Sequence, residues 1–259
     1  MDVGGEIALG STLFTLVEPH PGHEVAYNRW YERDHFYAGC MVGPWLFAGR
    51  RWVATRDEKA LRTGTRPDLF GEGSPGTYLA LYFVIKGKHE EHFDWGLRQV
   101  KWLHENDRMF PERDHVHTLL YNFGWAVGRD DDGVPAELAL DHPYDGLAVQ
   151  VLERADGVDW RDLEAWFAAR RADTPAIGQT LLMRPIPLPE GAPVSQPGLD
   201  NLRRRSMLLR FSDDGPAHAI GQASDQAAAL SADGLGEVLW ASAFRPTVPG
   251  TDTHTDQLW

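Results

Sequence analysis

Apolar residues come along this chain in short runs, and the spacing within the runs alternates between the two-residue period of strands and the three-to-four-residue period of helices. The run Ser11-Thr12-Leu13-Phe14-Thr15-Leu16-Val17 predicts a first strand within residues 6–17, broken by Pro19, Pro21 and Gly22. A helical pattern follows and closes near Gly39, and residues 45–54 read as a second strand carrying Trp45, Phe47, Trp52 and Val53. Residues 55–76 are charged and rich in Gly and Pro, which predicts a long loop with a helical turn around 58–61. Loops of that length often serve as lids or binding loops. Residues 77–85 form the clearest strand, residues 90–106 a helix with Phe93, Leu97, Val100 and Leu103 at spacings of three and four, and residues 117–127 another strand.

The order then repeats. A strand at 147–152 precedes a helix at 160–171, capped by Asp159, with Trp160, Leu163, Trp166 and Phe167 inward. A strand at 177–186, a Pro-rich connection at 187–197, a strand at 206–211, a helix at 216–230 and a strand at 238–245 complete the pattern. Each half reads strand–helix–strand–strand–helix–strand, the ferredoxin-like order. Strands such as 77–85 are apolar on both sides, so both sheet faces must be covered. The expected fold is therefore α+β, with two tandem ferredoxin-like βαββαβ units packed sheet to sheet as an intrachain α/β barrel. Residues 1–128 form the first unit and carry the expected site, 129–144 the linker, 145–248 a mainly structural second unit, and 249–259 a flexible tail in which Trp259 is free to dock.

Composition narrows the partners. A hydrophobic content of 42% with 10 Trp in 259 residues permits a well-buried core. A formal charge of −13 argues against nucleic acid and anionic membranes as partners, and Arg203-Arg204-Arg205 is too short a basic run to change that. The single cysteine, Cys40, allows no intrachain disulfide and fits a reducing cytoplasm. No signal-peptide pattern and no membrane-length apolar run is present, so a cytoplasmic location is expected. Because intrachain pairing already covers the sheets, the expected state is monomer or homodimer, with a small molecule as the partner.

Candidate chemistry concentrates in the first helix. Tyr27, Tyr31 and His35 are four residues apart and share a face, while Trp30 and Asp34 form the neighbouring row. Such a face suits an aromatic or carbonyl-bearing ligand and a proton transfer. The second helix matches this one at Trp166 but has Ala165, Phe167, Arg170 and Arg171 in place of the polar groups, so one working cavity is expected. His89, His92 and Asp94, with His104, His115 and His117, form a second His-rich region. The spacing does not match the metalloprotease pattern, so no metal is expected, and His115 and His117 are expected on one strand face. No phosphate-binding Gly loop and no Gly-x-Ser-x-Gly elbow occurs.

The set Trp30-Tyr31-x-x-x-His35, then Gly43-Pro44-Trp45 and Arg50-Arg51, resembles the EthD-like branch of the dimeric α/β-barrel superfamily. Proteins of that superfamily pair ferredoxin-like units into a barrel, with the ligand cavity between sheet and helices. They include cofactor-free cyclases and monooxygenases, isomerases, dehydratases and haem enzymes. The resemblance implies an enzyme without cofactor, using His35 as general acid/base, Tyr31 as a donor to a substrate oxygen and Asp34 as an orienting group. Tyr27, Trp30, Trp45, Arg50, His92 and His117 would then contact an aromatic or polyketide-like substrate during cyclisation, dehydration, isomerisation or oxygenation. Two alternatives stand beside it: a haem- or metal-dependent enzyme with His35, His92 or His117 as ligand, and a non-catalytic carrier of an aromatic ligand.

Overall fold

Strand β1 (Leu9–Pro19) covers the expected β-rich run and ends at the first of the expected prolines. The computed structural model of the chain describes residues 7–64, 66–73, 75–187, 199 and 201–259, and most of the Pro-rich connection at 187–197 lies outside them. The other strands are β2 (Leu46–Val53), β3 (Tyr78–Ile85), β4 (Arg113–Gly128), β5 (Gly146–Arg154), β6 (Ile177–Pro185), β7 (Arg205–Ser212) and β8 (Gly236–Pro246). The helices are α1 (Glu24–Trp30), α2 (Arg56–Ala60), α3 (Pro67–Phe70), α4 (His89–Glu105), α5 (Trp160–Ala169) and α6 (Pro216–Ala232). Asp159 caps α5 as expected, accepting from the Arg161 amide at 3.0 Å while Asp162 reaches back to the Asp159 amide at 2.7 Å. The 55–76 loop holds two short helices, α2 and α3, in place of one turn.

All strand pairs are antiparallel and close a ring in the order β1-β3-β2-β8-β5-β7-β6-β4. Within each half the order is that of a ferredoxin-like unit, β4-β1-β3-β2 and β6-β7-β5-β8. The halves join where β4 pairs with β6 from Tyr121–Pro185 to Gly128–Gln179, and where β2 meets β8 at Trp52–Pro246 and Val53–Arg245. Closure fixes which side chains point inward. Phe14, Leu16, Trp52, Leu79, Leu81, Phe83, Val149, Leu181, Met183, Leu209, Phe211 and Phe244 fill the barrel. Each such side chain contributes about 1.5–3 kcal/mol by leaving water.

Helices cover the outside. Over the first unit, Tyr27, Tyr31 and Cys40 pack on Val17, Val53, Tyr78, Ala80 and Tyr82. Over the second, Leu163, Trp166 and Phe167 meet Trp125, Leu152, Leu182 and Leu208, and Ala219, Ile220 and Ala223 meet Ala148, Ala241 and Ala243. The first helix does not close at Gly39 but continues as a π-helix over Tyr31–Met41, one residue per turn wider than an α-helix. Gly39 lies inside it for a steric reason. A Cβ there would sit 2.8 Å from Cε1 of His35, so the missing side chain makes room for the imidazole.

The tail differs from expectation, because it packs against the first helix. Asn28 donates to the Thr251 carbonyl at 2.9 Å, the Gly250 amide to Glu32 at 3.0 Å, and Arg29 pairs with Asp252 at 2.5 Å. Leu258 is 1% exposed, and Lys59 Nζ lies 4.1 Å from the centre of the Trp259 ring. Among the described residues no helix is long and apolar enough to cross a membrane.

A buried ion pair ties helix, sheet and tail together. Arg51 on β2 meets Glu32 at 3.2 Å and Asn28 at 2.9 Å, and its guanidinium lies over the rings of Tyr31 and Tyr78 at 4.5 and 5.0 Å. Removing one partner strands the other charge in a low dielectric. Glu32→Ala is expected to lower the unfolding free energy by about 3–5 kcal/mol in urea titrations, and a loss below about 1 kcal/mol, the size of a surface pair, would show that the pair does not hold these parts together.

Candidate functional site

The helix face singled out from the sequence forms as drawn, but as packing. Tyr27 and Tyr31 are 1% and 3% exposed, with rings 5.7 Å apart. The Tyr31 and Tyr82 hydroxyls hydrogen-bond to each other at 2.9 Å, and burial pushes the Tyr31 phenol well above its usual pKa. Burial takes Tyr27 up to about 12 and the Cys40 thiol likewise to about 12, so neither ionises near neutral pH. His35 stacks on Trp30 with ring centres 4.4 Å apart, and its Nδ1 has no partner. Burial first, then the Arg113 guanidinium and the neighbouring His115 imidazole, hold its pKa down at about 3. Asp34 does not orient His35 but pairs with Arg108. Trp30 donates to the Arg108 carbonyl at 2.9 Å.

Three more expected contacts are engaged elsewhere. Trp45 lies under Lys88, whose Nζ is 4.7 Å from the ring centre. Arg50 is not free for a substrate carboxylate, since it donates to the carbonyls of His142 and Tyr144 and lies 4.5 Å over Trp52. His92 is 4% exposed beside Trp95, with Nδ1 unpartnered and its pKa lowered by burial to about 4. A cleft of ≈ 330 Å³ does open between α4 and the sheet, but His89, Phe93, Asp94 and Leu120 line it, and none of the expected site residues does.

His117 is placed differently. A bulge in β4, where Leu16 faces His117 but Val17 faces His115, separates the two imidazoles expected on one face. Val116 and His117 are buried, and His115 is exposed. His117 enters the barrel end, where its Nε2 hydrogen-bonds the Tyr121 hydroxyl at 2.6 Å. Both line a cavity of ≈ 20 Å³, room for about one water, together with Phe70, Arg205, Ser206 and Met207. His117 Nδ1 and Ser206 Oγ are buried without partners. Burial lowers His117 to a pKa of about 4 and raises the Tyr121 phenol, so at neutral pH both are uncharged. Arg205 is held by Glu153 at 3.1 Å and by Asp68 at 3.8 Å. Leu69 and Phe70 of α3 close the cavity from the loop expected as a lid, with the Phe70 ring 5.4 Å from His117.

Of the expected residues, then, Tyr27, Trp30, Tyr31 and His35 meet one another, and His117 alone lines this closed cavity. Tyr121, Ser206, Arg205 and Phe70 were not anticipated. Only Tyr121 had a local signal, lying an even number of residues from His117 on one strand.

No protein-family model matches the chain, and no curated protein matches it. Solved structures share its fold. A protein assigned as a chlorite dismutase aligns with 98% of this chain and 100% of its own at TM-score 0.57 and 9% identity. A dye-decolorizing peroxidase from Bacteroides thetaiotaomicron covers 100% and 98% at TM-score 0.52 and 10% identity. An anthrone oxidase-like protein covers 95% of each chain at TM-score 0.51 and 7% identity. These likenesses agree with the barrel fold expected from the sequence.

The three imidazoles given to haem in the alternative reading do not fit a porphyrin as they stand. His35 is enclosed by Trp30, Tyr31 and the Gly39 turn, His92 is buried beside Trp95, and the space beside His117 holds about one water. Among the described residues no group of three His, Cys, Asp or Glu is placed to hold a metal ion.

His35, His92 and His117 all have folded pKa values below the unfolded value of about 6.5. Their contribution is complete above that value and is lost as pH falls toward the folded values, because the unfolded chain then binds protons the fold refuses. The urea midpoint is expected to fall steadily from pH 7 to pH 5, before most carboxylates titrate. A midpoint constant over that range would contradict the buried, neutral assignment.

Proposed function

We propose that the protein is a small-molecule enzyme that works at the barrel end, with His117 moving a proton in the oxidation of an electron-rich aromatic substrate. The observation that carries this reading is the buried His117–Tyr121 hydrogen bond beside a closed cavity that also holds the unpartnered Ser206 hydroxyl. In the working tautomer His117 Nε2–H donates to the Tyr121 oxygen, which leaves the Nδ1 lone pair to take a substrate proton. Its low pKa keeps that nitrogen unprotonated across the neutral range. Tyr121 stays a phenol and orients the ring, and Ser206 Oγ supplies a donor for oxyanion charge that develops as the proton leaves. In this reading α3 is a lid seen closed, and Gly71, at φ 90°, supplies the left-handed turn at its end.

Among the reactions implied by the EthD-like resemblance, oxygenation by molecular oxygen is favoured over cyclisation, dehydration or isomerisation. Support comes from the oxidase, peroxidase and dismutase names of the fold's neighbours. The same names favour a second reading, a haem-dependent oxidoreductase, in which the surroundings of one of the three buried imidazoles would have to open for the porphyrin, as α3 must open for an aromatic substrate in the first reading.

Oxygen uptake with a panel of anthrones and electron-rich phenols tests the proposal. His117→Gln is expected to reduce the rate about 100-fold or more, the usual scale for a general base, with the circular-dichroism spectrum unchanged. Full activity in that variant would overturn it. A Soret band that titrates to one haem per chain would make the second reading the right one.

A further inference from the structure

The second unit holds a buried cation without a counter-ion. Arg210 points outward from β7, into the space between the sheet and helices α5 and α6, and is 1% exposed. Its register neighbours are Thr180 on β6 and Ala148 on β5. Nη2 donates to Oε1 of Gln226 at 2.6 Å, and Nε has no partner. Gln226 is itself held by donating to the Arg170 carbonyl at 3.3 Å, so its oxygen is turned to Arg210 by design of the network. Among the described residues no carboxylate approaches this guanidinium, and burial alone accounts for the fall of its pKa to about 9. It remains a cation at neutral pH. Buried charges are ordinarily paired, and an amide oxygen offers only part of the compensation that an anion gives.

Beside Arg210 lies a cavity of ≈ 10 Å³, lined also by Phe167, Thr174, Thr180 and Gln226. Arg129 and Arg171 line it too. They are neutralised by their own partners, Arg129 by Asp130 at 3.1 Å and Asp213 at 3.3 Å, and Arg171 by Asp131 at 2.5 Å. The space is on the scale of a single small ion and too small for a polyatomic phosphate or carboxylate.

We propose that this cavity is a binding site for a small monatomic anion of the halide class, held by the Arg210 guanidinium as its missing counter-ion. The site lies on the outer face of the second unit, apart from the barrel-end cavity, and does not depend on the reading of that cavity. An anion bound only by the folded chain stabilises it by mass action, and the effect grows with the logarithm of its concentration above the dissociation constant.

Bromide tests the site directly. Crystals of the full chain grown in bromide are expected to give an anomalous peak within hydrogen-bonding distance of the Arg210 guanidinium, and a map with no peak there overturns the proposal. In solution, melting curves at constant ionic strength, with chloride exchanged for bulky gluconate, are expected to show a saturable rise in Tm for the natural chain. Arg210→Met, which replaces the cation by an apolar side chain of similar length, should melt independently of chloride. A chloride-dependent rise that persists in this variant would place the anion elsewhere and also overturn the assignment.

Discussion

Ring closure is the constraint on which the rest of this structure depends. Eight antiparallel strands leave no free edge, so every strand has a fixed inward face that must be filled. The two seams differ. β4 and β6 pair along much of their length, whereas β2 and β8 share only the pairs at Trp52 and Val53. Two contacts reinforce the shorter seam: the side chains of Arg245 and Glu58 pair, and the backbones of Thr63 and Ala241 form an isolated bridge. Apolar residues fill the ring's centre, and the inward face of β4 becomes polar only towards the end covered by α3, where His117 and Tyr121 stand.

Local physics explains what the sequence could show. Alternating runs, the Pro and Gly breaks and the Asp159 cap are short-range signals, and they place the strands and the principal helices closely. The repetition of βαββαβ with strands apolar on both faces leads from there to the barrel. What escaped was register and width. A single extra residue in β4 separates His115 from His117, and the widened turn of Tyr31–Met41 draws Gly39 into the helix as room for an imidazole. Neither alters the hydrophobic pattern. The barrel-end cavity gathers Phe70, His117, Tyr121 and Ser206 from segments far apart in the chain, so no motif of fixed spacing announces it.

The two units solve one problem in different ways. Leu81 in β3 faces Phe14 and Leu209 in β7 faces Val149, and the next residues, Tyr82 and Arg210, both point to the helix-covered outer side of their strands. In the first unit the outward space is filled by the Tyr31 and Tyr82 phenols, and the buried cation nearby, Arg51, has Glu32 as its partner. In the second unit the cation lies on the strand itself and has an amide oxygen and the face of the Phe167 ring in place of a carboxylate. The tyrosine and histidine face of the first helix, chemically rich as a sequence, is therefore explained by the packing and ion pairing of its own unit.

The central claim is that His117 is a buried, neutral imidazole whose Nε2 is engaged by Tyr121 and whose Nδ1 is left free. Nitrogen-15 NMR of the histidine-labelled protein across a pH titration measures both properties. The account predicts that the His117 signals keep the shifts of the Nε2–H tautomer down to a pH of about 4. A ring that titrates near the ordinary value of about 6.5, or one that carries its proton on Nδ1 at neutral pH, would contradict it.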